Sequence, residues 1–300
     1  MINLKILILS SNTYPSLRNS NVQKKVFSEN EYTNNVLWYK GGSKEQLGNK
    51  NANLIGNDLY INASDDALGM GDKTIKSFEW MLENTDFEYL FRTNTSSYFS
   101  YNNLVNYIKK HFEGMEHIYA GKIHTTNDSS GKPVDFASGS GYILNRNTVK
   151  KIVENQNLWE HEYWDDVSLG LLLRKLNLNP VDARRFDIEG NPYKQEIDIE
   201  QYHYRCRIDN HYGYPRLLET FVLSYLSKLH NRKKINKLLM YFYSSIFEVF
   251  SFFYISQFGW KVFIQIRKVL KFLLPKKVFS LLKRLLHKTI YNFKLVRFKI

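Results

Sequence analysis

The 300-residue chain is rich in aromatic residues (15%) and carries a formal net charge of +13, from 42 Lys+Arg against 29 Asp+Glu. That length suits one large domain or two small ones with a real core, and the single cysteine, Cys206, excludes an intrachain disulfide. The charge is unevenly placed: residues 221–300 hold 17 Lys+Arg and one acidic residue, Glu248, which leaves 25 basic and 28 acidic residues in 1–220.

Leu4–Leu9 is a continuous apolar run closed by Ser10-Ser11-Asn12, the pattern of a strand buried on both faces in a parallel sheet. It is too short for a signal-peptide core, which places the first 220 residues in the cytosol. Residues 21–27 suit a short helix, 36–39 a second strand ended by Gly41-Gly42, and 58–62 a third. Gly71-Asp72 opens an amphipathic helix with Ile75, Phe78, Trp80, Met81 and Leu82 on or near one face and Asp72 as its cap. Residues 89–91 form a short apolar strand running into small polar residues, Asn94, Thr95, Ser96 and Ser97, with Arg92 the nearest fixed positive charge. A helix over 102–112 follows. Ligands sit at the carboxyl ends of strands in an open α/β sheet, so this loop is a ligand edge or an ordinary strand-to-helix turn.

Residues 118–123 suit another strand and 125–132 a Gly/Ser/Asn-rich loop. Residues 136–145 lead into a helix over 146–156. Trp164-Asp165-Asp166-Val167 opens a helix ending near Leu176, and 181–186 reads as a last strand. Strands alternating with helices predict an α/β fold with a mostly parallel sheet in residues 1–220.

Residues 221–300 differ in kind. Residues 238–260 contain one charge, Glu248, and would be long enough as a helix to span a bilayer, but five Ser and Gln residues and basic flanks on both sides argue against a simple span. Beyond them, Val262, Phe263, Ile266, Val269, Leu270 and Leu273 keep helical spacing opposite Lys261, Gln265, Lys268 and Lys271. After Pro275 the pattern repeats with Leu282, Leu285 and Leu286 opposite Lys283, Arg284 and Lys288. Such basic amphipathic helices suit an anionic membrane surface. The alternative is a helical region packed on itself or on a second copy in a homo-oligomer. Nucleic acid is not expected as a partner, because contacts to phosphates do not need apolar faces this wide.

Four segments then stand in a fixed order: Asp72-Lys-Thr-Ile-Lys-Ser-Phe-Glu-Trp-Met81, Tyr89-Leu-Phe-Arg-Thr-Asn-Thr-Ser-Ser-Tyr-Phe99, Ala137-Ser-Gly-Ser-Gly-Tyr-Ile-Leu144 and Trp164-Asp-Asp-Val-Ser-Leu-Gly170. Together they resemble the Fringe-like and β-1,3-galactosyltransferase family over roughly residues 4–190. The resemblance implies the A-type glycosyltransferase fold, a Rossmann-like mixed sheet flanked by helices. It also implies transfer of a hexose or N-acetylhexosamine, with inversion, from a nucleotide sugar such as a UDP-sugar to a glycan or lipid-linked glycan. Asp166 matches the catalytic Asp, a general base for the acceptor hydroxyl, with Asp165 beside it holding acceptor or geometry. Ser10, Ser11 and Asn12 would face the base or ribose of the donor, and Arg18 the diphosphate. Ser138, Gly139, Ser140 and Gly141 would form a turn that lets backbone approach a sugar.

One departure changes the chemistry. The family's Asp-x-Asp position reads Asn94-Thr95-Ser96, and without carboxylates Mn2+ or Mg2+ would be held poorly. Either cations replace the metal or the chain no longer catalyses. Lys73, Arg92, His203, Arg205 and Arg207 are the candidate cations for a leaving diphosphate, which favours a metal-independent enzyme. The expected setting is the cytoplasm, peripheral on the inner face of the cytoplasmic membrane through residues 221–300. The rival class is a non-catalytic nucleotide- or glycan-binding protein at a membrane surface.

Overall fold

The computed structural model describes residues 2–28, 31–66, 68–208, 216–231 and 237–255. The chain divides into two compact units, Met1–Asp187 with Asp198–Arg205, and Ile188–Ile197 with Cys206–Ile300.

The first unit is built on an eight-stranded mixed sheet. Strand β1 (Leu4–Leu9) is central, flanked in parallel by β2 (Val36–Gly41) and by β5 (Tyr89–Asn94). Beyond β2 lie β4 (Asp58–Ile61), parallel to it, and β3 (Ala52–Ile55), antiparallel at the edge. On the other side of β5, β8 (Pro133–Asn145) runs antiparallel, followed by β7 (Tyr119–Asn127) and the short β9 (Val181–Asp182), for the order β3-β4-β2-β1-β5-β8-β7-β9. A second sheet of three short strands orders β10 (Phe186–Asp187), β11 (His203–Arg205) and β6 (Ser97–Phe99).

Helices cover both faces, as the two-sided burial of β1 requires. Leu7 on one side joins Tyr39, Phe78, Met81, Leu90, Tyr142 and Leu172 in the main core, drawn from helices α3 (Met70–Asn84), α5 (Arg146–Glu154) and α6 (Asp165–Lys175). In α3 the buried positions Ile75, Phe78 and Met81 recur every three residues and form one stripe. On the other side, Phe27 of α1 (Ser16–Phe27) stacks 4.5 Å from Phe99, and Leu104, Ile108 and Phe112 line the buried face of α4 (Tyr101–Phe112). Each such buried side chain contributes roughly 1.5–3 kcal/mol relative to exposure.

Several elements differ from the sequence reading. Helix α1 begins at Ser16, five residues earlier, because its first turns bury Asn19, Ser20 and Gln23 rather than apolar side chains. The helix α3 is capped by Gly69, so Asp72 lies inside its first turn, 3.3 Å from His161, and is no cap. The expected loop over 125–132 is a turn over residues 128–132, closed by Asp128, while residues 125–127 extend β7 and pair with β8 from Thr125↔Asp135 to Asn127↔Pro133. The expected strand over 181–186 is split into β9 and β10, in different sheets.

In the second unit, α7 (Glu219–His230) buries Val222, Leu223 and Leu226 and runs across residue 220, where the sequence suggested a boundary. Helix α8 (Lys237–Ile255) accepts Asn191, whose Nδ2 donates to Ser244 Oγ and Glu248 Oε1, both at 3.0 Å. Tyr193 packs 4.5 Å from Tyr225 and 5.9 Å from Phe247. Among the described residues, no helix is long and apolar enough to cross a membrane. The amphipathic patterns expected after residue 260 lie outside the described residues.

Candidate active site

The carboxyl ends of β1, β2 and β5 and the middle of β8 bring most of the expected site residues together. At the end of β1, the Asn12 backbone N–H donates to Asp65 Oδ2 at 2.6 Å and its side-chain Nδ2 to Gly41 O at 2.9 Å. The Ser11 backbone N–H donates to Ser16 Oγ, and the buried Ser10 Oγ finds no hydrogen-bond partner among the described residues. Asp65, which no motif marks, also accepts from Gly41 N at 2.9 Å and lies 3.2 Å from Lys73 Nζ. Lys73 is therefore not an open cation: it is buried and neutralised by the carboxylate that pins the β1 and β2 loops. Arg18 is half-buried and makes no ion pair among the described residues.

Arg92 is likewise not a cation at a ligand edge. It is 0% exposed. Its Nε donates to Tyr39 Oη at 2.9 Å, Nη1 to Gly139 O at 2.6 Å, and Nη2 to Asp165 Oδ2. Thr74 Oγ1 closes a ring, 3.1 Å from Tyr39 Oη and donating to Asp165 Oδ2 at 3.2 Å. Burial opposes the guanidinium charge, but Asp165 and the two tyrosines beside it outweigh burial and hold its pKa well above the usual value. A buried charge is tolerable only when paired and hydrogen-bonded, and this ring meets both conditions.

Asp166 is treated differently. It follows Asp165 in the first turn of α6, where the helix N-terminus favours negative charge. Its Oδ2 accepts from Gly139 N at 2.7 Å and its Oδ1 from Val167 N at 3.0 Å. It stays partly exposed. Burial, and secondly the Asp165 charge, raise its pKa above the ordinary carboxylate value.

Residues Ser138, Gly139, Ser140 and Gly141 do not form a turn. They lie within β8, where Gly141 pairs with Thr93. Glycine is still required by close approach: a Cβ on Gly139 would sit 3.0 Å from Asp166 Oδ2, and one on Gly141 would sit 2.8 Å from His203 Nε2. Ser138 and Ser140 both accept from Arg185, a residue the sequence reading missed.

The Asp-x-Asp position does not offer a divalent-cation donor set. Asn94 ends β5, its Nδ2 donating to Gly139 O at 3.2 Å and its Oδ1 accepting from Ser96 N at 2.9 Å, so the amide is used by its own turn. Thr95 Oγ1 lies 3.2 Å from Ser16 Oγ, and Thr95 and Ser96 are buried. His203 is buried with Nε2 3.3 Å from Ser97 Oγ. Burial, then Arg185, holds its pKa well below the usual value, so it is a neutral imidazole and no cation for a diphosphate. Among the described residues no group of three or more His, Cys, Asp or Glu could hold a metal ion. Neutral amide and hydroxyl oxygens beside two guanidinium groups do not fit Mg2+ or Mn2+. Arg205 is half-buried on β11, and Arg207 is exposed and belongs to the second unit.

A mixed sheet in this order, flanked by helices and with an acidic pair opening a helix against β8, agrees with the α/β architecture expected from the sequence. Residues 50–184, a little under half of the chain, match the family model described as Galactosyltransferase. No curated protein sequence matches the chain. Solved structures are distant. A glycosyltransferase involved in the glycosylation of the major capsid of PBCV-1 is 10% identical, with 73% of this chain and 99% of that chain covered and a TM-score of 0.42. The galactosyltransferase LgtC, in complex with donor and acceptor sugar analogs, is 9% identical over 78% of this chain and 98% of that chain, with a TM-score of 0.39. The 4-diphosphocytidyl-2C-methyl-D-erythritol synthase of Anaerococcus prevotii is 11% identical over 60% and 87%, at 0.38.

Proposed function

We propose that the chain moves a hexose or N-acetylhexosamine from a nucleotide sugar, with UDP-sugars the first donors to test, to a glycan or lipid-linked glycan acceptor. Transfer would proceed with inversion, with Asp166 as general base and without a divalent cation. The observation that carries this reading is the division between two adjacent carboxylates. Asp165 is held by the buried Arg92 and is not available to take a proton. Asp166 is partly exposed, and its raised pKa makes it a stronger base than an ordinary carboxylate. The acceptor oxygen attacks the anomeric carbon, its proton passes to Asp166, and the bond to the nucleoside diphosphate breaks with the electron pair leaving on the phosphate oxygen. The site residues Ser10, Ser11, Asn12 and Arg18 are assigned to the donor. Ser10 Oγ, buried and without a hydrogen-bond partner among the described residues, is a polar group there that a donor could satisfy.

Peripheral attachment to an anionic membrane through residues 221–300 belongs to the same proposal. Its support is the charge of that segment and the exposure of Tyr241, Phe242 and Val249 on α8. Liposome flotation of the full chain tests it: recovery with anionic but not neutral vesicles is the expected result. The catalytic reading is tested by transfer assays in the presence of a chelator. Wild type should turn over one nucleotide sugar, and Asp166→Asn should lose transfer while binding the nucleotide unchanged. Nucleotide binding without turnover in wild type would favour the non-catalytic protein that Asn94-Thr95-Ser96 suggests.

A further inference from the structure

We infer that the cavity between α3 and the edge strand β3 is a second saccharide site, which holds a part of the glycan acceptor that does not react. The acceptor role rests on the transfer proposed above, whereas saccharide binding stands on the cavity itself. The cavity has a volume of about 580 Å³, within the range of roughly 300–1,000 Å³ usual for small-molecule sites. It lies within the first unit, where Trp80 and three charged residues of α3 face residues 50–54.

The α3 wall follows from helix periodicity. Lys76, Glu79, Trp80 and Glu83 recur at intervals of three and four residues, on the face opposite the buried stripe of Ile75, Phe78 and Met81. Trp80 is half-buried: it packs against the main core and still borders the cavity. An indole offers a broad apolar face and one N–H donor. Trp80 Nε1 makes no hydrogen bond among the described residues.

Charge narrows the ligand. Lys50 and Lys76 balance Glu79 and Glu83, so the lining carries no net charge, and a diphosphate would meet two carboxylates. A purely apolar ligand would strip water from the same polar groups without replacing it. Some of these groups are engaged: Lys76 Nζ donates to Asn62 O, Glu79 Oε1 accepts from Gln156 Nε2 and Asn53 Nδ2 donates to Gln46 O, all at 2.7 Å. The side chains of Lys50, Asn51 and Glu83 have no partner among the described residues. They set a cation, an amide and a carboxylate, donors and acceptors together, around an indole face. A sugar ring is the complement of that set, because its hydroxyls both donate and accept and its C–H faces are apolar.

Position separates this site from the reaction. Thr74 Oγ1 donates to Asp165 Oδ2, and Trp80 lies about 9 Å further along the α3 axis and about a third of a turn round it. Binding energy from a sugar held there lowers the acceptor KM without changing the chemical step.

The test is calorimetric titration of the full chain with lactose, maltose and N,N′-diacetylchitobiose, without nucleotide. Wild type should bind at least one of them, and Trp80→Ala should weaken that binding by about 10-fold or more. Trp80→Phe should recover part of the loss. Lys50→Ala with Glu83→Gln, both at exposed positions, should weaken binding by about 3- to 10-fold even if the tryptophan variants fold poorly. No binding of any of the three by wild type, or equal affinity in wild type and Trp80→Ala, would overturn the site. In transfer assays Trp80→Ala should raise the acceptor KM with kcat unchanged, and an unmoved KM would overturn the acceptor role. Saccharide binding that depends on Trp80 in a chain without turnover would support the site while overturning the transferase reading and the acceptor role with it.

Discussion

Two neighbouring parts of the site use the same residue types for opposite ends. In the sealed part, Arg92, Asp165, Tyr39 and Thr74 close a hydrogen-bonded ring beneath β8, with the ion pair almost wholly removed from water. In the open part, Asp166 stands at the rim, partly exposed to solvent. The first part shapes the strand that the second part acts from: Arg92 holds Gly139 O while Asp166 holds Gly139 N. Solvation, rather than residue identity, separates scaffold from chemistry.

The comparison breaks most severely if the ring is opened. Arg92→Met leaves Asp165 buried without its cation and should cost about 3–5 kcal/mol of stability in urea unfolding, while replacing both partners by apolar residues should recover much of that. A loss no larger than that of a surface ion pair would show the ring to be dispensable. Next in size is Gly141→Ala, whose methyl group would lie 2.8 Å from His203 Nε2 and 2.9 Å from Phe91 Cζ. Overpacking of this kind should cost about 1–3 kcal/mol by the same measurement.

The rim is sharpened by pH. Because the pKa of Asp166 is raised, the base loses its free electron pair as pH falls through a value above 3.8, and kcat/KM should decline there. Asp165→Asn removes a like charge and frees Arg92 to favour the Asp166 carboxylate, so the acid limb should move to lower pH. An unmoved limb would detach Asp166 from it. The smallest effect is expected at the former metal position: Asn94→Asp with Ser96→Asp should create a dependence on Mn2+ or Mg2+ in transfer assays, and indifference to both ions would count against the account of the missing carboxylates.

Much of the scaffold was legible. Leu4–Leu9 is the central strand because nothing but a doubly covered position suits four successive aliphatic residues, and the spacing of Leu104, Ile108 and Phe112 defines α4. The acidic pair at the start of α6 was visible too, since two carboxylates at a helix N-terminus are a local signal. What was hidden depends on distant pairing. Thr93 and Gly141 read as loop by composition, and the antiparallel register of β5 with β8 makes them strand, while Asn94 is strand through its parallel pairing with Leu9. Strand β3 was missed for a different reason: its ladder with β4 is local, but it depends on a tight turn at Gly56 in a left-handed conformation at φ 59°. Arg92 looks like an open cation until Asp165, 73 residues away, is folded onto it. Arg185 offers no motif at all, because its serine partners lie 45 and 47 residues upstream.

The central claim is that Asp165 and Asp166, adjacent in sequence, are a structural and a chemical carboxylate. Measuring unfolding free energy and kcat side by side for Asp165→Asn and Asp166→Asn tests it most directly. The account predicts that Asp166→Asn lowers kcat by about 10²- to 10⁴-fold, the contribution of a positioned general base, with stability nearly unchanged, while Asp165→Asn is strongly destabilising. Equal loss of activity and stability in both variants, or full activity in Asp166→Asn, would contradict it.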